Sequence, residues 1–150
     1  VMIDFLNILG TVIVGLFAGS LLIEGMVLVP YWRSMAPESF FRLHGEFGPR
    51  LFRYFAPLTT AAFALPLITA ALGFFVPSGH NFWTWLAAGL LAVVTATFPL
   101  YFSAANQSFA DRSLTDDALP AELSRWNRVH IFRTIIALGA FIACVISNGG

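Results

Sequence analysis

The stretch ILGTVIVGLFAGSLLIEGMVLV, Ile8 to Val29, decides the fold. Its length matches the ~20 apolar residues that a helix needs to cross a bilayer. One carboxylate, Glu24, interrupts it. A charge near the centre of a membrane helix costs about 2.5–3.5 kcal/mol on insertion scales, so such a residue faces the protein interior or a wet cavity and has a partner. That partner has to come from elsewhere in the chain.

Composition extends the reading to the whole molecule. Of 150 residues, 58% are hydrophobic and 11% charged, against about 25% charged in a soluble domain. A polytopic membrane protein follows, with the lipid bilayer as its surroundings. The formal net charge is zero, so nucleic acid is not an expected partner. All the basic residues are arginine, which favours forked, always-charged donors. One cysteine, Cys144, excludes a disulfide framework and reads as a core thiol.

Three further apolar segments match the first: 54–76, 82–103 and 129–147. With 8–29 they predict an all-α, four-helix transmembrane bundle forming a single domain, 1–150. The first segment has no basic start and no small-residue cleavage site, and it runs into Pro30-Tyr31-Trp32-Arg33, so it reads as a span and not as a signal peptide. Arg33, Arg42, Arg50 and Arg53 lie between spans one and two, and Arg112, Arg125 and Arg128 between spans three and four. The positive-inside rule then puts both termini on the non-cytoplasmic side, in a membrane expected to be a bacterial inner membrane. Phe82, Trp83 and Trp85 would form an outer aromatic belt, and Tyr31, Trp32 and Trp126 an inner one. The first connector predicts a short helix opening at Pro37-Glu38, broken or kinked by Gly48-Pro49 before span two. Pro120-Ala121-Glu122 marks another helix start, and Pro77-Ser78-Gly79-His80-Asn81 a tight turn.

Helical spacing stacks Phe17, Ser20, Glu24, Leu28 and Tyr31 on span one. On span three the stripe is Ala92, Thr95, Pro99, Ser103 and Asn106, and on span four Trp126, His130, Arg133, Ala137, Ala140 and Cys144. At ~1.5 Å per residue, Glu24 lies roughly 9 Å inside Pro30, Asn106 roughly 8 Å inside Asp111 and His130 roughly 8 Å inside Arg125. A four-helix bundle can close such a cluster from facing side chains, with His44 and Glu46 of the connector over its mouth. Gly15-Leu16-Phe17-Ala18-Gly19 is a GxxxG match that reads either as packing within the chain or as a dimer face.

Two kinds of reading compete for the cluster. Glu24 and Arg133 can be a buried ion pair that fixes helix register, in a non-enzymatic subunit of a larger membrane complex or a homo-oligomer. As the catalytic set of a membrane oxidoreductase or oxygenase, Glu24 or His130 would take a proton from an acidic carbon of a lipophilic aromatic or quinone-like substrate, with His130 the favoured base and Glu24 then the orienting or proton-relaying acid. Arg133 and Asn106 would stabilise the oxyanion, and Trp126, Tyr31, Ser103 and Thr134 would hold the substrate. This chemistry needs no cofactor. A metal alternative uses Glu24, His44 and His130 as a two-His, one-carboxylate set for Fe, with Cu and Zn also suited to imidazole. A haem between His44 and His130 is a further electron-transfer variant.

The segment Trp126-Asn127-Arg128-Val129-His130-Ile131-Phe132-Arg133-Thr134, following Asn106 at the end of span three, resembles the anthrone-oxygenase-like family of small four-helix membrane proteins. The layout is similar throughout: a small-residue first span ending near a proline, a polar connector, the Asn closing span three, and the Trp-x-x-x-His-x-x-Arg-Thr opening of span four. The resemblance implies oxidation of anthrone-type polyketide aromatics to quinones by O2. It places Asn106, Trp126, His130, Arg133 and Thr134 at its motif positions, and matches none of Glu24, His44 and Glu46.

Overall fold

A computed structural model of the chain describes residues 2–76 and 82–149. Four helices long and apolar enough to cross a membrane account for most of them: α1 (Met2–Ser34), α2 (Pro37–Phe75), α3 (Phe82–Ala110) and α4 (Leu119–Ser147). The chain is an all-α bundle of the integral-membrane type. Helices pack in a ring in chain order, α1 on α2, α2 on α3, α3 on α4 and α4 back on α1. The expected turn at 77–81, with His80, lies outside the described residues.

Each helix is longer than the apolar segment that announced it. The predicted start at Pro37-Glu38 is observed, with Pro37 in the first turn. The predicted interruption at Gly48-Pro49 is not: the connector helix and the second span form one element, continuous from Pro37 to Leu72 with Pro49, Pro57 and Pro66 inside it. Membrane helices tolerate proline because neighbouring groups and local adjustments satisfy the freed backbone. α4 likewise begins at Leu119 with Pro120 in its first turn, as Pro120-Ala121-Glu122 predicts. Arg112 ties the two connections of that end together through an ion pair with Glu38. Ser113 hydrogen-bonds to the Asp111 carboxylate at 3.0 Å, which holds that carboxyl below its usual range.

Two helices carry a widened turn. In α1 a π-turn covers Glu24–Leu28, two residues before Pro30. In α3 one covers Phe98–Phe102 and contains Pro99. The Pro30 ring presses on the carbonyl of Met26, four residues earlier, which lies inside the widened turn of α1; in α3, Pro99 instead stands near the start of the widened turn. π-turns of this kind gather at functional sites. The insertion in α1 corrects the stripe read from regular spacing. Phe17 and Glu24 are buried as expected, but the next inward positions are Val29 and Trp32, at 1% and 8% exposure, and not Leu28 and Tyr31.

The core has two parts. One is built of small residues: Ala62, Ala87, Ala137 and Ala140 are fully buried, beside Val14, Phe17 and Leu21. Small side chains let helix backbones approach closely where no hydrophobic force separates lipid from protein. Gly15 serves the same end, since a Cβ there would stand 2.8 Å from the Phe141 ring, whereas Gly19 has nothing within 4 Å. The GxxxG match is thus half spent inside the chain. The second core is aromatic, with Trp32, Phe40, Phe41, Phe102, Phe109 and Trp126. Trp32 and Trp126 therefore form no inner belt. They meet edge to face at 5.6 Å inside the bundle, and Tyr31 alone of the three faces out, 56% exposed. Cys144 is buried, as a core thiol.

Candidate functional site

The partner of Glu24 is Arg133. Glu24 Oε2 on α1 accepts a hydrogen bond from Arg133 Nη2 on α4 at 2.9 Å. Both side chains are largely buried, with 6% and 13% of their surface exposed. His130, one turn before Arg133, completes the cluster: its Nδ1 lies 3.5 Å from Glu24 Oε2. Arg133 donates to that Nδ1 from Nε at 3.2 Å. On the other side of the ring, Nε2 donates to the Leu21 carbonyl at 2.9 Å. These contacts fix a neutral imidazole with its proton on Nε2, because a guanidinium only donates and a carbonyl only accepts.

The ring fits where it does because Gly25 has no side chain: a Cβ there would sit 3.0 Å from His130 Nε2. Trp126 stacks on the other face of the imidazole, with centroids 5.0 Å apart and planes 11° apart. Arg133 is held from a third direction by cation–π contact, 3.9 Å above the Phe102 ring. A buried ion pair needs such additional contacts, because removing two charges from water costs more than a bare contact returns.

Asn106 joins the site through Trp126. The indole Nε1 donates to Asn106 Oδ1 at 3.0 Å. Because indole is a donor only, the amide oxygen turns toward it, which leaves the amide NH2 free to point elsewhere.

A cavity of about 550 Å³ opens beside these groups. Glu24, Arg133, Trp126, Asn106 and Ser103 line it, together with the aromatic rings of Phe17, Trp32, Phe52, Phe55, Phe98 and Phe102. That size and lining, apolar with a few convergent polar groups, suit one drug-sized molecule. Glu24 engages Arg133 through Oε2, and Arg133 is engaged through Nε and Nη2. Glu24 Oε1 and Arg133 Nη1 make no hydrogen bond among the described residues. The cavity therefore meets one free acceptor and one free donor.

Of the other predicted site residues only His44 lines the cavity; Tyr31, Thr134 and Glu46 do not. Tyr31 is turned outward by the π-turn. Thr134 is buried, and its hydroxyl donates to the His130 carbonyl at 2.7 Å within its own helix. His44 lines the cavity, but its ring packs on Phe40 and Phe109 at 5.6 and 5.2 Å. Glu46 is exposed, 4.0 Å from Arg50. Among the described residues no three His, Cys, Asp or Glu side chains gather as a metal site. The set Glu24, His44, His130 is thus not assembled, and both His130 nitrogens are committed, so neither it nor a haem between the two histidines fits this arrangement.

Regular helical spacing missed Trp32, Phe102 and Gly25. Pro30 and Pro99 were the available signals for the first two, since each accompanies the widened turn that rotates its neighbour inward. Gly25 carries no chemistry of its own and becomes visible only when His130 is placed against it. No protein-family model, no curated protein and no solved structure matches the chain.

Proposed function

We propose that this protein is a membrane oxidoreductase that oxidises a flat, lipophilic hydroxy- or keto-aromatic with O2, without a cofactor. The observation that supports it is the pairing of one free carboxylate oxygen with one free guanidinium N–H at an aromatic-lined cavity inside a membrane bundle. Glu24 is the base, through Oε1. His130 is not: its Nε2 proton is given to a carbonyl and its Nδ1 lone pair to Arg133. The imidazole instead holds Arg133 in place and clamps α4 to α1.

In this mechanism Glu24 removes a proton from the acidic carbon of an anthrone-type substrate. The electron pair of that C–H bond spreads into the ring system and onto the carbonyl oxygen. Arg133 Nη1 and the Asn106 amide NH2 stabilise the oxyanion, in a site where water is scarce and preorganised donors count most. The carbanion reduces O2 by adding to it, forming a C–O bond; the resulting peroxide loses the second hydrogen of that carbon as its O–O bond breaks. The balance is anthrone plus O2 giving quinone plus water. Arginine-bearing connections support a cytoplasmic-side location for the site.

O2 uptake on anthrone by the protein in mild detergent tests the proposal, with Glu24→Gln as the comparison. Uptake by the native protein that the variant loses is the expected result. Equal uptake by both overturns the role of Glu24, and none by either overturns the activity. A second reading, a non-enzymatic membrane subunit, has one observation in its favour: Gly19 leaves open space on α1 for a partner helix. Co-purifying subunits in mild detergent would support that reading instead.

A further inference from the structure

The cavity is sealed on one side and thinly closed on the other. Toward α1 and α4 its walls are Phe17, Glu24 and Trp126, at 2%, 5% and 4% exposure. Toward the outside of the bundle, between α2 and α3, it is bounded by Phe52 and Phe98, which are 54% and 37% exposed. Their rings meet across the seam at 5.8 Å with planes 37° apart. Around that contact the seam is lined by residues with little bulk: Gly48, Pro49 and Ala56 from α2, and Pro99 and Ser103 from α3.

Two features make this closure easy to open. A tilted ring pair between exposed side chains is weak, and at the inner end of the spans, where Arg50 and Arg53 flank Phe52, acyl chains surround the Phe98 ring as favourably as the ring it would leave. Exposed side chains also change rotamer within nanoseconds. Pro99 sits in the π-turn of α3, where the helix is already widened.

We propose that the Phe52–Phe98 contact is the gate of a lateral portal between α2 and α3, through which a membrane-dissolved aromatic ligand passes from the bilayer to the Glu24–Arg133 pair. The identity of the ligand rests on the function proposed above. The portal itself rests on the seam.

The test reads access from lipid, independently of turnover. Trp83→Phe and Trp85→Phe leave Trp32 and Trp126, both lining the cavity, as the remaining two of the four tryptophans. Cys144→Ser removes the single native thiol, and Phe52→Cys with Phe98→Cys allows the seam to be bridged by a short bis-maleimide. Reconstituted in brominated phosphatidylcholine, whose chain stands in for a membrane-dissolved ligand, the unbridged protein should be quenched at least twofold more than the bridged one. Equal quenching in the two overturns the portal, as does no quenching beyond that in unbrominated lipid. Phe98→Ala, made with only the two tryptophan changes, should raise quenching, and an unchanged value counts against the gate. Bridge-sensitive quenching with no O2 uptake on anthrone would retain the portal and remove the oxygenase; uptake with bridge-insensitive quenching would do the reverse.

Discussion

Gly25 and His130 occupy one another's space: the position a Cβ would take on Gly25 is 3.0 Å from His130 Nε2 and 3.1 Å from Cδ2. The residue next to the buried carboxylate thus sets how deeply the imidazole reaches into α1. Gly25→Ala should push the ring from the Leu21 carbonyl and, through Nδ1, disturb Arg133. Overpacking of this kind costs about 1–3 kcal/mol. A lowered melting temperature together with reduced anthrone oxidation is the expected outcome; a variant with native stability and activity would show that the ring yields freely.

Assigning the base to Glu24 and not to His130 separates two substitutions. Glu24→Gln should lower kcat by about 10²–10⁴-fold, the usual contribution of a general base. His130→Gln keeps an N–H for the Leu21 carbonyl and should retain a tenth or more of the native kcat. Steady-state O2 consumption by the two purified variants decides between them, and a deeper loss in His130→Gln would exchange their roles.

Trp126 acts on the site through its N–H. Trp126→Phe removes the donor to Asn106 Oδ1 while leaving an aromatic face for His130. One hydrogen bond of this kind contributes about 1 kcal/mol, so kcat/KM should fall roughly fivefold. The amide is then no longer oriented, and Asn106→Ala made in addition should cost little more. Independent, multiplying losses would show that Trp126 does not position Asn106.

The GxxxG pair divides into an inner and an outer glycine. Gly15→Ala meets the Phe141 ring at 2.8 Å, while Gly19→Ala meets nothing within 4 Å. Thermal unfolding in detergent should show the first to be destabilised by about 1 kcal/mol or more and the second to stay within about 0.5 kcal/mol of the native protein. Equal effects would mean that the two positions share one packing role.

The spans and the inward face of α4 were legible because both rest on regular spacing. Trp126, His130, Ala137, Ala140 and Cys144 are all buried where a 3.6-residue period places them. On α3 the stripe was legible only in part: Thr95, Pro99, Ser103 and Asn106 line the cavity, but Ala92 is exposed and the buried face is Leu91, Val94, Phe102, Ala105 and Phe109. Beyond Glu24 the period fails, because a π-turn adds a residue and hands the inward position from Tyr31 to Trp32. The metal reading failed for a different reason. Residue type told that His44 and His130 could ligate, but not that one is packed between two phenylalanines and the other has both nitrogens engaged.

The Glu24–Arg133 contact also fixes how the site responds to the field across the membrane. Opposite unit charges 2.9 Å apart lie at nearly one electrical depth, so the potential, which acts on each lone charge with about 2.3 kcal/mol per 100 mV, exerts almost no net work on the pair. When the carboxylate takes up a proton, the oxyanion of the substrate replaces it beside the same guanidinium. The pocket exchanges one anion for another and stays neutral throughout, which makes the proposed oxidation a voltage-independent reaction inside an energised membrane.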